Sequence, residues 1–260
     1  MKRVLCSLIL FLFAAFSPDL SASGRPAAGN DICPPSHKLP EHESLVYRVR
    51  WLGVNIGTIR ASIKGIKTVH GRSAYELEMT ARTNDLLSRI YPVNDRYVSY
   101  LDAEKLRTLR HEVYRREGRY KKDAVTDFDY ASGRAHFRNL LDRSEKTVII
   151  PPDVQDPVSV AYLFRISEIR LCETKVFNVY NNEDVYLLSV MADSKKPVRI
   201  PKTGPMEAFR VRPYAELNGK AVKKGRAGAY FSCGAKRIPL LGSVRAPLFT
   251  EITAYIEEGL

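Results

Sequence analysis

Residues 47–63, YRVRWLGVNIGTIRASI, contain two runs in which apolar and polar side chains alternate. Alternation with a period of two is typical of a strand with one buried face and one wet face. Glycines and an asparagine lie between the runs and favour a tight turn. The stretch therefore predicts a β-hairpin, whose buried positions are Tyr47, Val49 and Trp51 in the first strand and Ile59, Ala61 and Ile63 in the second.

The same alternation recurs along most of the chain. AYELEMTAR (residues 74–82) repeats it, and further short runs, separated by turn residues, continue to LFTEITAYI near the end. Helices do not alternate with these strands, which disfavours a parallel sheet with crossover helices. The sequence therefore predicts a mainly β fold, namely a curled antiparallel sheet in the form of a β-roll or half-barrel.

One segment, QDPVSVAYLFR (residues 155–165), has helical spacing instead. Asp156 is a good N-cap, and Pro157 suits the first turn, where its missing N–H would have no partner anyway. Apolar residues cover most of the circumference of this helix, which indicates that it is buried. We expect one buried helix around residues 156–170, covering the apolar face of the curled sheet, with Asp156 and Pro157 in structural roles.

The N-terminus predicts export. Residues 1–23 have two basic residues, a short apolar run and small residues near Ser23, which is the layout of a secretory signal peptide. Residues 24–43 are rich in Pro, Gly, Ser and Ala and are expected to be a flexible leader. Residues 44–260 then form a single β-rich domain. The expected location is the periplasm, as a soluble protein with no stable membrane span after cleavage, because no second apolar run is long enough.

The chain is basic, with a formal net charge of +12, of which +11 remains after removal of residues 1–23. The basic residues are spread over the strands and turns, as in RREGRYKK (residues 115–122). They are either solvated strand faces or a surface that meets anionic envelope material. We expect no nucleic-acid partner, because the chain is predicted to be exported and carries no nucleic-acid motif.

Three cysteines follow the predicted cleavage point: Cys33, Cys172 and Cys233. An oxidising compartment permits one disulfide and leaves one thiol. The sequence does not choose the pair; we favour Cys172 with Cys233, because Cys33 lies in the expected flexible leader. The sequence has no CxxC motif and no cysteine paired with a nearby histidine, so we expect no metal site and no cofactor.

Candidates for catalysis are few. Asp127 and Asp129 alternate along one strand, and paired carboxylates can do acid–base work, but any wet strand face has the same pattern. The five histidines do not follow metalloprotease spacing, and no GxSxG motif occurs. Cys233 lies near Lys236 and Arg237, which would favour a thiolate, but no local histidine is placed to act as its base. We therefore assign no catalytic residue.

A ligand-binding set is more plausible around the predicted helix. Tyr162 and Arg165 share one helical face, and a half-buried arginine needs an acidic or carbonyl partner. Arg165 is either an internal tie between helix and sheet or a polar anchor that holds an anionic headgroup. Tyrosine and tryptophan suit an apolar lining with polar tips. The candidate ligand-binding residues are Arg165, Tyr162, Gln155 and Trp51.

The order of these features resembles the DUF3108 family of exported bacterial proteins. The resemblance rests on YRVRWLGVNIGTIRASI, LLSRIYPVNDRYVSYLD, REGRYKKDAVTDFDY, IIPPDVQDPVSVAYLFR and GRAGAYFSCGAKRIPLLGSV, and the fourth of these is the most specific. The chain departs from the family at Cys233 and Gly234, where an acidic turn is expected. The resemblance implies a curled β-rich fold in the cell envelope, and it implies no reaction.

Three hypotheses for function remain. The leading one is a non-enzymatic periplasmic protein that binds or scaffolds an amphiphilic or anionic envelope component, such as a lipid or an anionic glycan. The second is a hydrolase that acts on envelope polymers, which predicts carboxylates or a Cys–His pair converging in a cleft. The third is a protein-interaction module whose sheet edge pairs with an envelope protein.

Overall fold

The computed structural model describes residues 32–36, 38–222, 227–234, 236–245 and 250–260. The predicted signal peptide and the first part of the leader, residues 24–31, lie outside this part of the chain. The two helices in the described residues are α1 (Asp85–Ser88) and α2 (Pro157–Ile166). The strands are β1 (Ile32–Cys33), β2 (Glu43–Trp51), β3 (Val54–Val69), β4 (Arg72–Thr83), β5 (Asn94–Asp102), β6 (Thr108–Glu117), β7 (Tyr120–Asp129), β8 (Arg134–Asn139), β9 (Glu145–Ile149), β10 (Ile169–Arg170), β11 (Thr174–Asn181), β12 (Asp184–Ile200), β13 (Gly204–Leu217), β14 (Lys220–Ala221), β15 (Ala227–Ser232), β16 (Pro239–Arg245) and β17 (Glu251–Glu258).

Fifteen of the strands form one antiparallel sheet, which confirms the predicted mainly β fold. Its order is β11-β12-β13-β15-β16-β17-β2-β3-β4-β5-β6-β7-β8-β9, with β14 paired to β13. The ladder between β17 and β2 joins the two halves of the chain, with Ala254 opposite Val49. β1 and β10 form a separate two-stranded sheet.

The sheet curls until its two ends come close. Tyr180 of β11 packs edge-on against Phe128 of β7, with ring centroids 5.4 Å apart. Lys146 of β9 lies 3.7 Å from the carboxylate of Glu183, in the turn after β11. In the described part of the chain no ladder joins β9 to β11. The backbone of Gln155, in the segment after β9, bridges to β11: its N–H donates to the carbonyl of Asn178, at 2.8 Å, and its carbonyl accepts from the N–H of Tyr180, at 2.7 Å. The fold is a roll whose described strands curl without being closed into a barrel by a continuous ladder.

The hairpin predicted from residues 47–63 is present, and its turn consists of Leu52 and Gly53. Both residues have positive φ, at 51° and 78°, as a two-residue hairpin turn requires. Gly57 meets a different need. A Cβ there would lie 2.3 Å from the carbonyl oxygen of Arg82 on β4, so glycine allows the two strands to approach.

Helix α2 is buried against the inside of the roll, as predicted. Val158 and Tyr162 pack into the apolar cluster of β2–β5 and β17, while Val160 and Phe164 pack into the cluster of β11–β15. The helix ends at Ile166, earlier than the predicted residue 170, because Ile169–Arg170 pairs with β1 as strand β10.

Within the described residues, neither helix is long and apolar enough to cross a membrane.

Candidate functional site

A groove of about 450 Å³ opens beside the C-terminal end of α2. We call it the strap groove, because one wall is formed by the strap, the described residues 34–36 and 38–42, which lie between β1 and β2. The opposite wall comes from Ile166, Lys236 and the final residues Gly259 and Leu260. Leu39 and Pro40 of the strap add further apolar surface. The volume lies within the range of about 300–1,000 Å³ that is typical of ligand sites.

The floor of the groove is a buried ion pair. Arg165 donates from Nη1 and Nη2 to the two carboxylate oxygens of Glu43, at 2.6 and 2.8 Å, and from Nε to the carbonyl of Arg237, at 3.0 Å. The side chains of Arg165 and Glu43 are only 5% and 9% exposed. Burial acts to lower the pKa of Arg165, but the hydrogen bonds and charge of Glu43 outweigh it and raise that pKa. Arg165 is therefore an internal tie with a carboxylate partner of its own.

Tyr162 lies behind this ion pair, with the guanidinium of Arg165 5.1 Å from its ring centroid. Its hydroxyl has no partner among the described residues. Burial raises the pKa of Tyr162, and likewise that of Tyr47. The two tyrosines line an apolar cavity of only about 40 Å³ between α2 and the sheet. An acyl chain does not fit there without movement of side chains.

Gln155 and Asp156 lie at the other end of α2, in a sealed polar network. Asp156 Oδ1 accepts from the backbone N–H groups of Val158 and Ser159, at 2.7 and 3.2 Å. Its Oδ2 accepts from the hydroxyls of Ser99 and Thr108, at 2.5 and 2.8 Å. Ser159 Oγ in turn accepts from the backbone N–H of Asp156, at 3.0 Å, so the capping is reciprocal and ties Asp156 into the helix.

Ser99, His111 and Asp156 lie in and near this network and have the residue types of a Ser–His–Asp catalytic triad. Their contacts are not those of a triad. The Ser99 hydroxyl donates to Asp156 and not to His111, whose Nε2 is 3.8 Å from Asp156 and has no hydrogen-bond partner in the described structure. Burial lowers the pKa of His111, so the ring is neutral. All three side chains are buried, so a substrate cannot reach them.

The structure does not bring the four predicted ligand residues together. Tyr162 and Arg165 are adjacent, whereas Asp156, next to Gln155, lies about 14 Å from Arg165 along the helix. Gln155 bonds to its surroundings through Thr108 and the carbonyl of Leu106. Trp51 is at the far end of β2 from Glu43, about 26 Å away along the strand, and its indole N–H donates to Thr250 at 3.0 Å.

The predicted disulfide is wrong. Cys233 bonds to Cys33, with their Cα atoms 5.5 Å apart, and Cys172 is a free, exposed thiol. The prediction failed because Cys33 was assigned to a flexible leader, whereas it lies in β1, opposite Ile169 of β10. Cys33 is 1% exposed, and Leu39 of the strap is also buried, so the described end of the leader is attached to the domain.

Sequence reasoning missed the other charged residues of the groove. Lys38 lies on the strap and Lys236 on the opposite wall, and no ion pair with a described residue involves either ammonium group. Glu43 and Arg237 hold the floor from separate segments. Each looks like an ordinary exposed charge in the sequence, and only the alternation at the start of β2 hinted that Glu43 faces inward.

Two carboxylates that were not predicted lie inside the opposite half of the roll. Asp95 and Glu117 are both buried, and Arg115 donates from Nε and Nη2 to Glu117 Oε1, at 2.9 and 2.6 Å. Burial, together with a hydrogen bond to Glu117, raises the pKa of Asp95 to about 7. The raised pKa favours a proton shared between Asp95 and Glu117, and both residues are at most 3% exposed.

Asp127 and Asp129, the pair considered for acid–base work, have separate roles. Asp127 accepts from His70, Arg110 and Arg138, at 2.7–2.9 Å. Asp129 accepts from backbone and side chain in the turn after β7. Among the described residues, no group of three or more His, Cys, Asp or Glu is arranged to hold a metal ion.

Comparison with known proteins gives a family and a fold. A family model described as "Protein of unknown function (DUF3108)" matches residues 46–248. No curated protein matches the chain. A solved structure, "Crystal Structure of Beta-barrel-like Protein of Domain of Unknown Function DUF1849 from Brucella abortus", is similar with a TM-score of 0.52 and 7% identity, over 84% of this chain and 96% of that one. At this identity the likeness shows the fold alone.

Proposed function

This chain belongs to the DUF3108 family of proteins of unknown function, and on that premise we propose that it is a non-enzymatic periplasmic protein that binds or scaffolds an amphiphilic, anionic envelope component in the strap groove. The observation that carries this proposal is the pairing of an apolar lining with two lysines that have no ion-pair partner among the described residues. Lys38 and Lys236 both line the groove, together with the apolar residues Leu39, Pro40 and Ile166.

The charge of the groove favours an anion. Glu43 and Arg165 neutralise each other in the floor, so the two lysines leave the site with a net positive charge. An ammonium group is a compact point charge that suits a phosphate or a carboxylate. The net charge of +11 that remains after removal of residues 1–23 adds a long-range attraction toward anionic surfaces.

The shape of the groove sets how an amphiphile would lie. The inner cavity of about 40 Å³ is too small for an acyl chain, so the apolar part of the ligand lies along the groove, not inside the roll. The Cys33–Cys233 disulfide supports an oxidising compartment, which agrees with export to the periplasm.

The two alternative functions, a hydrolase and a protein-interaction module, gain less support from the described residues. The described carboxylate pair, Asp95 and Glu117, is sealed from solvent. The edge strand β9 leaves Ile149 82% exposed. However, β9 is short, carries Lys146 and is followed by Pro151 and Pro152, which are features that discourage pairing at an edge.

We test the proposal by calorimetric titration of the full mature chain with dodecyl phosphate below its micelle concentration. The variant Lys38→Gln/Lys236→Gln should bind about tenfold more weakly, because it loses two exposed ion pairs worth roughly 0.5–1 kcal/mol each. Lys121→Gln, an exposed lysine on β7, is the matched control and should bind like the wild type. Arg165→Met is unsuitable as a probe, because it would leave Glu43 buried without a partner and destabilise the fold.

Dodecyl maltoside and inorganic phosphate separate the two parts of the ligand. A site for an anionic amphiphile should bind dodecyl phosphate more tightly than it binds dodecyl maltoside or inorganic phosphate. Absence of binding by the wild type, or equal binding by the double variant and the wild type, would refute the proposal.

A further inference from the structure

The strap is attached at its N-terminal end mainly by one covalent bond. β1 pairs with β10 through only two residues, and the Cys33–Cys233 disulfide adds the link to the loop after β15. Around this bond, Arg237 donates to the carbonyls of Cys33, Pro34 and Ser167. The main sheet, in contrast, is held by ladders along its whole length.

The two sulfur atoms differ in their access to solvent. Cys33 is 1% exposed, whereas Cys233 is an exposed residue. A thiolate that approaches from solvent therefore attacks Sγ of Cys233, and Cys33 leaves as the thiolate. A second thiolate of the same reductant then releases Cys233. In total, the protein gains two electrons and two protons, and the reductant forms one disulfide.

We propose that the Cys33–Cys233 disulfide is a redox latch: it holds the strap as a wall of the strap groove, and its reduction by a dithiol opens that wall while the main sheet stays folded. The effect of this opening on ligand binding rests on the function proposed above. The opening itself does not.

The geometry explains why the opening would be local. After reduction, the first part of the strap keeps the two-residue ladder, the hydrogen bonds from Arg237 to the carbonyls of Cys33 and Pro34, the hydrogen bond from Ser36 N–H to the carbonyl of Ile166 at 3.0 Å, and the buried side chain of Leu39. Segments with few contacts open at a small fraction of the global unfolding free energy.

Opening would dismantle one side of the groove. Ser36, Lys38, Leu39 and Pro40 all lie on the strap, so the groove would lose half of its apolar lining and one of its two lysines. Glu43 is the first residue of β2 and stays paired with Arg165, so the floor remains.

Hydrogen exchange with mass spectrometry on the full mature chain tests the latch, before and after reduction with dithiothreitol. Amides in residues 32–40 should exchange at least tenfold faster in the reduced protein, while those of β3 to β7 keep their protection. Unchanged exchange in the strap, with reduction confirmed by mass, would overturn the proposal. So would loss of protection throughout the sheet, because the bond would then support the fold as a whole.

Two variants complete the test. Cys172→Ser removes the exposed thiol outside the disulfide and should behave like the wild type in both redox states. Cys33→Ser/Cys233→Ser should exchange like the reduced protein without any reductant. If the double variant does not fold, reduction of the Cys172→Ser protein provides the same comparison.

The binding of dodecyl phosphate distinguishes the two proposals. If the strap opens on reduction and binding weakens with it, both stand. If the strap opens but the oxidised protein never binds the probe, the latch stands and the proposed function fails. If the oxidised protein binds and reduction changes neither the binding nor the exchange of the strap, the function stands and the latch fails.

Discussion

At the residue scale, the interior of the roll contains buried charges that are neutralised by partners, some distant in sequence and some on the same strand. Arg165 meets Glu43 across 122 positions in sequence. Arg115 meets Glu117 two positions along the same strand, where both side chains point inward. Asp95 accepts the backbone N–H of Arg116 at 2.8 Å and adds a second carboxyl next to Glu117. One guanidinium cannot neutralise two carboxylates, so one of them keeps a proton.

The raised pKa of Asp95 predicts a dependence of stability on pH. The pKa is about 7 in the folded protein and near 3.8 when the chain is unfolded. Between pH 4 and pH 7, Asp95 therefore keeps its proton in the folded protein and loses it on unfolding. As a result, the contribution of Asp95 to the free energy of unfolding falls as pH rises through this range. The slope is at most about 1.4 kcal/mol per pH unit. Asp95→Asn, which mimics the protonated form, should flatten this slope in urea unfolding at pH 5, 6 and 7.

Asp127→Asn is the control for this experiment. Hydrogen bonds from Arg110 and His70 outweigh the effect of burial and lower the pKa of Asp127. Its contribution to stability is therefore complete above about pH 4 and is lost only in more acidic solution. Equal slopes for the wild type and Asp95→Asn between pH 5 and 7 would show that Asp95 does not hold the shared proton.

At the scale of elements, α2 depends on its N-terminal cap because its surroundings are dry. Asp156 satisfies two helix N–H groups and also accepts from the hydroxyls of Ser99 and Thr108 on β5 and β6. The cap therefore fixes both where the helix begins and how it sits against the sheet.

Asp156→Ala should lower the free energy of unfolding by about 2–4 kcal/mol, measured by urea denaturation. Loss of the cap accounts for about 0.5–2 kcal/mol, and the buried Ser99 hydroxyl, which loses its acceptor, accounts for the rest. Asn84→Ala removes the cap of the exposed helix α1 and is the matched control, with an expected loss of about 1 kcal/mol. Equal losses in the two variants would contradict a role for Asp156 beyond capping.

At the scale of the whole molecule, the two halves of the sheet share one interior. The β17–β2 ladder joins them, and α2 packs on both, through Tyr162 on one side and Phe164 on the other. Neither half covers its own apolar face. The region from residue 44 to residue 260 is therefore proposed to be a single domain.

A single domain predicts one cooperative unfolding transition for the oxidised protein. Trp51, the sole tryptophan of the chain, lies at the β2–β17 junction and reports on it by fluorescence, while far-ultraviolet circular dichroism follows the whole sheet. The two probes should give the same midpoint in urea. Two separate midpoints would indicate that the halves unfold independently and would contradict the single domain.

The candidate site was only partly predictable. The pattern of residues 155–165 predicts the helix and its cap, because capping and helical spacing depend on neighbouring residues. It also predicts that Arg165 needs an acidic or carbonyl partner. The partner itself did not follow, since Glu43 lies in another segment with the appearance of a surface charge. Trp51 and Gln155 were grouped with Arg165 by residue type, and the strand and helix lengths place them at separate ends of the fold.

The sequence by itself determined the strands, the Leu52–Gly53 hairpin region, the buried helix and the cap at Asp156, because each depends on residues a few positions apart. Only the tertiary structure decided that Cys33 pairs with Cys233, 200 residues away, and that the strap and Lys236 form one groove. These contacts depend on how far the sheet curls and on which strands lie at its junction. That is set by the packing of the whole interior around α2, which local patterns do not encode.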